Sequence, residues 1–276
     1  MPGGALSLVL RTWRETAEPV IRIKITHVRG STPREAGAYM LVTPALTAGT
    51  IGGGYPEHDC IRLARIMLDH DDGKTLNREF VLSPQTGQCC GGVMTVCLER
   101  LTPQMLIEAE RMEAGRLTAR PQLFLFGAGH VGRAVARALL PLPLSLIWCD
   151  SRPGEFGDEA WGGADLRMTQ DWENILSGTS DAAPAGVLVM THSHALDARI
   201  VSYALESGRY RYIGLIGSRT KRRRFEESFR MLGLSEAQIS PLICPVGDRG
   251  VRDKRPEVIA ALVAAEIVER LLIPPA

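Results

Sequence analysis

Three glycines in the second half of the chain have the spacing of a phosphate-binding turn. The segment 127–132 reads Gly-Ala-Gly-His-Val-Gly, directly after the apolar run 123–126 and directly before a helical pattern. In such a turn Gly127 permits the tight bend, Gly129 lets the backbone approach a pyrophosphate, and Gly132 allows close helix packing. The following helix N-terminus attracts anions. This order predicts dinucleotide or nucleotide binding, and the alternative is a turn kept for packing alone.

Two polar side chains accompany this turn. Asp150 ends the next apolar run, about twenty residues further on, where a carboxylate is placed to bind the hydroxyl pair of a ribose. His130 lies inside the glycine turn itself and is a further candidate to face the ligand. Both residues are therefore candidate cofactor-binding residues.

A histidine pair follows the third apolar run of this half. His192 and His194 stand at the strand end, where ligands of a parallel sheet collect, with Asp197 three residues later. Two imidazoles and a carboxylate have the chemistry to bind a metal or to position a phosphate. The alternative interpretation is that Thr191 or Ser193 caps a helix here and that the two histidines bond to the backbone.

A Gly-Ser-Arg turn followed by further cations comes after the fourth run, at 216–224. Phosphate or partner contact is one interpretation, and Ser218 and Arg219 are the best candidates within it. A solvated helix face is the other, because cations at a helix N-terminus oppose the macrodipole.

The first half of the chain carries its own glycine loops. Gly52, Gly53 and Gly54 precede a helix, and Cys90 and Gly91 lie in a second loop. Exposed backbone N–H groups in such loops form anion nests. A thiol among anion-binding donors has a lowered pKa, which makes Cys90 a candidate nucleophile or metal ligand. The alternative for Cys90 is a small buried residue in a tight turn.

The patterns that must position these residues alternate between strands and helices. In the first half we predict helices at 6–18 and from Pro56, with strands at 20–28, 38–42, 80–82 and 93–98. In the second half we predict strands at 123–126, 144–148, 187–190 and 212–216, and helices at 131–140, 196–207, 219–232 and 256–272.

The fold class that follows is α/β, with two domains. An N-terminal mixed α/β domain, residues 1–115, precedes a Rossmann-like doubly wound parallel-sheet domain, residues 120–276. The boundary is placed in the polar stretch 111–120.

Composition excludes several classes of protein. The 276 residues are 45% hydrophobic and 23% charged with a net charge of +1, which argues against disorder and against a nucleic-acid or membrane partner. The sequence has no signal-peptide pattern and no apolar run of about 18 residues, so we expect a soluble cytoplasmic protein. The six cysteines contain no CxxC pair, and reduced thiols are expected.

Six of these motifs occur together in one order. The segments 28–34, 49–54, 90–92, 125–132, 190–194 and 212–219 resemble the XdhC/CoxI family, accessory proteins of xanthine dehydrogenase. The resemblance covers nearly the whole chain. It implies a chaperone that binds the molybdenum cofactor, in its molybdopterin or dinucleotide form, and protects it during sulfuration by a cysteine desulfurase. The cofactor then passes to xanthine dehydrogenase or a related molybdenum hydroxylase, and no residue is catalytic.

The resemblance also implies roles for individual residues. In the first domain the pterin or phosphate groups would be held by the glycine loops with Arg29, Ser31 and Arg34, and Cys90 would contact molybdenum or sulfur. The second domain would accept a pterin phosphate or a nucleotide through Gly127, Gly129, Gly132 and Asp150.

Two other functions remain open from the sequence alone. The glycine turn with Asp150 also suits an NAD(P)-dependent oxidoreductase, although no acid or base of the first domain stands out. A sulfurtransferase would use Cys90 as its persulfide carrier. For assembly, we expect a homodimer, since two-fold dimers are the commonest oligomers.

Overall fold

The chain divides into two compact units, Met1–Arg116 and Leu117–Ala276. The structure is a computed structural model that describes residues 4–70, 73, 75–82, 91–179 and 181–273. Each unit has a sheet and hydrophobic clusters of its own, as described in turn below.

The first unit is an antiparallel sheet with helices on both faces. Its strands are β1 (Ile21–Arg29), β2 (Tyr39–Val42), β3 (Thr47–Gly49), β4 (Leu76–Val81) and β5 (Val93–Arg100), in the order β3-β2-β1-β5-β4. The helices are α1 (Gly4–Thr16), α2 (Gly54–Asp69) and α3 (Pro103–Thr118).

Alternation along β1 explains how this sheet is covered. Ile21, Ile23 and Ile25 are fully buried and pack in the same cluster as Cys60 and Ala64 of α2. The opposite face of the sheet carries a second cluster, in which α1 and α3 pack. Burying each of these isoleucines stabilises the fold by about 1.5–3 kcal/mol, so the pattern of one strand fixes which face meets α2.

The second unit is a parallel sheet with helices on both faces. Its strands are β6 (Gln122–Phe126), β7 (Ser145–Asp150), β8 (Ala164–Met168), β9 (Ala185–Val189), β10 (Tyr212–Leu215) and β11 (Leu242–Ile243). Its helices are α4 (His130–Leu139), α5 (Trp172–Ser177), α6 (His194–Ser207), α7 (Arg219–Met231), α8 (Glu236–Ile239) and α9 (Pro256–Ile267), which continues as a π-helical turn at Val268–Leu272.

The strand order of this sheet is β11-β10-β9-β6-β7-β8, and every pair is parallel. The chain starts in the middle at β6, builds outward through β7 and β8, and then returns to the other side of β6 with β9. This is the doubly wound Rossmann order, whose switch point lies between β6 and β9. The predicted mixed α/β and Rossmann-like fold class is therefore confirmed.

Two hydrophobic layers sandwich the parallel sheet. One contains α5 to α8, with Ile200 and Phe229 fully buried, and the other contains α4 and α9, with Val135 and Val263 fully buried. All five residues of β9 are buried, as expected of a strand covered on both faces. Among the described residues, no helix combines the length and the apolar character needed to cross a bilayer.

Candidate functional site

The three glycines of the predicted turn have different surroundings. Gly127 has φ +113°, and a Cβ added to it would lie 2.3 Å from the carbonyl oxygen of Met190. A Cβ on Gly132 would lie 2.2 Å from the oxygen of Gly127, so both positions require glycine for packing. Gly129, the N-cap of α4, would direct a Cβ into open space, with no other residue within 4 Å. The turn is therefore closed by its first and third glycines and open at its second.

Asp150 lies beside this turn, and its carboxylate is already bonded to the protein. It accepts the backbone N–H of Ala128 at 2.7 Å and that of Arg152 at 2.9 Å. The Arg152 guanidinium adds a bidentate contact, Nε to Oδ1 at 3.1 Å and Nη2 to Oδ2 at 2.9 Å. Burial would raise the pKa of Asp150, but these donors outweigh it and lower the pKa below its usual range.

A cavity of about 270 Å³ opens at the carboxyl ends of β6, β7 and β9. Its lining includes Gly127, Asp150, Trp172, His192 and Arg199. The Arg199 guanidinium lies over the Trp172 ring, 5.4 Å from its centroid, which gives one wall an aromatic and cationic character. The volume is slightly below the usual range of ligand pockets, about 300–1,000 Å³.

The histidine motif forms the loop between β9 and α6. Ser193 caps α6 by accepting the N–H of Leu196, as the capping interpretation predicted. His192 and His194 are exposed, and of the two only His192 lines the cavity. Asp197 points away from them, since its fully buried carboxylate accepts both the N–H and the hydroxyl of Thr191.

The proposed metal set of two imidazoles and a carboxylate is therefore not assembled. Among the described residues, no group of three or more His, Cys, Asp or Glu side chains is placed to hold a metal ion. The carboxylate of Asp197 instead pairs with Lys221 Nζ at 2.7 Å.

The Gly-Ser-Arg turn contributes a residue that sequence reasoning ranked too low. Ser218 caps α7, and Arg219 is an exposed residue paired with Asp248 at 3.1 Å; neither lines the cavity beside Gly127. Lys221 is largely buried, with its side chain 13% exposed, and it also donates to the carbonyl of Ile216 at 2.9 Å. A Cβ on Gly217 would lie 2.6 Å from Lys221 Cδ, so this glycine leaves room for the lysine stem.

The structure thus collects part of the predicted site and separates the rest. Gly127, Asp150 and His192 line one cavity, whereas Gly129, two residues further along the same turn, does not line it. His130 is the exposed first residue of α4 and does not line that cavity. The sequence could not show which of His192 and His130 lines the cavity, because both residues follow strands that end at the same edge of the sheet.

In the first unit the three glycine-bearing loops meet. A Cβ on Gly52 would lie 2.5 Å from Pro33 Cγ, and one on Gly92 would lie 2.2 Å from the oxygen of Ser31. The loop 30–34 therefore packs against both other loops. Arg29 and Ser31 are exposed, and no described residue partners their side chains, whereas Arg34 faces Glu35 at 3.7 Å.

The backbone donors of these loops are engaged within the protein. Glu57 Oε2 accepts the N–H groups of Ile51 at 2.9 Å and Gly53 at 3.0 Å, together with the Thr50 hydroxyl at 2.5 Å. Thr50 Oγ1 accepts the N–H of Gly52. A free anion nest at Gly52 and Gly53 was thus a wrong expectation, because a carboxylate one turn into α2 fills it.

The other members of the predicted first-unit site have mixed outcomes. Gly54 is the exposed first residue of α2. The N–H of Gly91 donates to the carbonyl of Leu82 at 2.8 Å, so it too is engaged. Cys90, the predicted molybdenum or sulfur contact, and its neighbour Cys89 lie outside the described residues.

Family models match both halves of the chain. The XdhC Rossmann domain matches residues 123–267, and the XdhC and CoxI family matches residues 13–78. An uncharacterized Escherichia coli protein, YqeB, is 27% identical over 91% of this chain, which spans only 43% of that relative's length. A Bacillus subtilis protein described as a probable xanthine dehydrogenase component is 24% identical, over 96% of this chain and 97% of that protein.

Similarity to a solved structure supports the same grouping at the level of the fold. The crystal structure of a xanthine dehydrogenase from Bacillus halodurans superposes with a TM-score of 0.77 at 19% identity, covering 96% of this chain and 95% of that one. The Rossmann-domain match extends over more than half of the chain, from β6 to the end of α9. The chain belongs to the XdhC and CoxI family.

Proposed function

We propose that this protein is a chaperone for the molybdenum cofactor. It binds the cofactor as molybdopterin or as a dinucleotide, protects it while a cysteine desulfurase sulfurates it, and inserts it into xanthine dehydrogenase or a related molybdenum hydroxylase. The carrying observation is the open space at Gly129, at the N-terminus of α4, in a turn whose first glycine, Gly127, lines a cavity of about 270 Å³. Family membership and the name of the Bacillus subtilis relative support the choice of partner.

The residues of the second unit suit the phosphate end of such a cargo. The first N–H groups of α4 have no intrahelical acceptor, and the helix dipole adds positive potential at the same place. Because Gly129 has no side chain, a phosphate or pyrophosphate can approach these groups closely. The Arg199 guanidinium, which covers the buried Trp172 ring, offers a flat cationic surface for a heterocyclic ring.

The residues of the first unit suit the cargo less through backbone N–H groups than through side chains. Glu57 and Thr50 occupy the N–H groups of residues 51–53, so among the described residues we propose that the side chains of Arg29, Ser31 and Arg34 bind pterin or phosphate. In this proposal the protein holds and transfers its cargo without chemical turnover, as a chaperone does.

Retention of the cofactor tests the proposal directly. Purified protein is mixed with molybdenum cofactor and gel-filtered, and bound pterin fluorescence and molybdenum are measured. The loaded protein is then added to an apo molybdenum hydroxylase. We expect equimolar retention and faster activation than with free cofactor; no gain in either measurement rejects the proposal.

Substitutions at Gly129 and Gly162 provide a matched test and control. Gly129→Ala places a methyl group where the phosphate would approach, and we expect cofactor affinity to fall at least tenfold, about 1.4 kcal/mol. Gly162→Ala is the control, because a Cβ there also meets nothing within 4 Å and the residue lies in the loop before β8, outside the glycine turn and away from the N-terminus of α4. Equal retention by both variants would exclude the α4 N-terminus as the cargo site.

A second candidate function is that of an NAD(P)-dependent oxidoreductase, which the Rossmann strand order and the position of Asp150 at the end of β7 favour. Titration with NADH and NADPH, followed by a search for hydride transfer to small carbonyl substrates, separates the two functions. Tight binding with transfer would favour the oxidoreductase over the chaperone.

A further inference from the structure

A closed ring of contacts surrounds the glycine turn of the second unit. The N–H of Ala128 donates to Asp150, and Asp150 holds the Arg152 guanidinium through two bonds. Arg152 Nη1 lies 3.0 Å from Glu155 Oε1. Arg133 of α4 then donates to the carbonyl oxygens of Glu155, at 2.7 Å, and of Ala128, at 3.3 Å, which returns the ring to the turn.

This ring holds Arg152 over the carboxylate that a ribose would use. In Rossmann domains an acid at the end of the second strand accepts hydrogen bonds from the ribose hydroxyls. Here the Asp150 side chain is only 3% exposed, and each of its oxygens already accepts two protein N–H groups. A hydroxyl pair reaches Asp150 only if Arg152 leaves.

Displacing Arg152 is unfavourable for two reasons. The Arg152 contact to Asp150 is charged and bidentate, which is among the stronger side-chain interactions. A second carboxylate, Glu155, anchors the same guanidinium from its other side. A neutral ribose hydroxyl replaces neither contact.

We infer that Arg152 is a specificity-determining residue that closes the ribose-binding carboxylate of this Rossmann unit. The unit is thereby biased against dinucleotides that place a ribose diol at Asp150, the dinucleotide form of the proposed cargo included, and towards anionic ligands that present no such diol there. The inference goes beyond the proposed function, since it says which common ligands the unit refuses, and it stands whether or not the protein retains molybdenum cofactor.

The test uses ADP and 2′-deoxy-ADP, which share a pyrophosphate for the glycine turn and differ in the ribose 2′-hydroxyl. Isothermal titration compares the wild type with Arg152→Ala. We expect ADP to bind the variant at least tenfold more tightly, about 1.4 kcal/mol, while 2′-deoxy-ADP gains less than threefold. Adding Asp150→Asn to the variant removes the gain.

Matched variants and a second nucleotide keep the result decisive. Arg167→Ala is the control, because Arg167 also pairs with a nearby aspartate, Asp165, but lies on the exposed strand β8. Arg152→Met keeps the side-chain stem and replaces the alanine variant if that variant does not fold. Unchanged ADP affinity in a folded Arg152 variant overturns the inference. It is equally overturned if the wild type binds NADP⁺ and the Arg152 variants lose it, since Arg152 would then be a phosphate ligand.

Discussion

Lys221 Nζ and Asp197 Oδ2 lie 2.7 Å apart, and this ion pair joins the two motifs that follow β9 and β10. Asp197 is fully buried, and the Lys221 side chain is 13% exposed. The same carboxylate holds the backbone of Thr191, next to the cavity-lining His192. The pair therefore fixes the loop that forms one wall of the candidate site.

Removing the cation should be costly. Lys221→Met leaves the Asp197 carboxylate buried without its counter-ion, and we expect about 3 kcal/mol less unfolding free energy in urea. Arg219→Met is the control, since Arg219 is 82% exposed in its pair with Asp248 and should change stability by less than about 1 kcal/mol. Similar losses in both variants would contradict a structural role for the buried pair.

Alanine substitutions in the glycine turn should show which glycines are needed for packing. Gly127→Ala and Gly132→Ala force a Cβ to within 2.3 Å and 2.2 Å of backbone oxygens, and we expect each to cost about 2–4 kcal/mol of stability. Gly129→Ala meets no such atom and should cost under about 1 kcal/mol. Thermal and urea unfolding of the three variants measures the order, and an equal loss at Gly129 would be inconsistent with the open space there.

Glu57 should stabilise the loop before α2. Glu57→Gln weakens three hydrogen bonds from Thr50, Ile51 and Gly53, and we expect a loss of about 1–2 kcal/mol. The control Glu79→Gln changes an exposed residue of β4 and should stay within about 0.5 kcal/mol. Denaturant unfolding checks both; a neutral Glu57 variant would mean that the carboxylate does not hold the loop.

Acid should remove the contribution of Asp150. Because the pKa of Asp150 in the folded protein is lowered, its contribution is present above the ordinary value of about 3.9 and is lost as pH falls through the folded pKa. The stability gap between wild type and Asp150→Asn should therefore be widest near neutral pH and shrink below about pH 4. Fluorescence-monitored unfolding follows it through the buried Trp148, Trp161 and Trp172, and a gap constant to pH 2 would be inconsistent with the lowered pKa.

Three buried thiols should resist alkylation in the folded protein. Burial raises the pKa of Cys60 and Cys149 to about 12 and that of Cys244 to about 11. At pH 8 roughly one thousandth or less of each is thiolate, so iodoacetamide should label them only in urea. Site-resolved mass spectrometry measures this; rapid labelling of native Cys149 would contradict it. A persulfide on Cys90 after incubation with a cysteine desulfurase remains the test of the sulfurtransferase hypothesis.

Elements whose apolar residues are continuous or regularly spaced could be predicted from the sequence, and elements without such a pattern could not. The four central strands of the parallel sheet were found from continuous apolar runs at nearly their observed bounds. Strand β8 was missed because it is an edge strand whose Leu166 and Met168 are 40% and 65% exposed. Helix α3 was missed because Glu113, buried and bonded to Tyr39 Oη at 3.4 Å, occupies a position of the buried face and hides the period.

For the candidate site, spacing identified backbone roles better than side-chain partners. The differing needs of Gly127 and Gly132 follow from a turn between a strand and a helix, and the structure bears them out. Which carboxylate meets which cation depends on contacts between residues far apart in sequence, as with Asp197 and Lys221. The reach of Arg152 back to Asp150 depends on Glu155 and Arg133 as well, so the sequence pattern Asp-x-Arg alone did not predict it.

The close packing of Gly127 against Met190 ties the shape of the glycine turn to the synthesis of a later part of the chain. The turn at Gly127 is shaped by a carbonyl more than sixty residues later, directly after β9, a strand that follows β8 in the chain. A ribosome-bound chain that ends before β9 has the glycines without the wall against which they pack. The glycine turn therefore reaches its folded shape only once β9 and Met190 have left the ribosome.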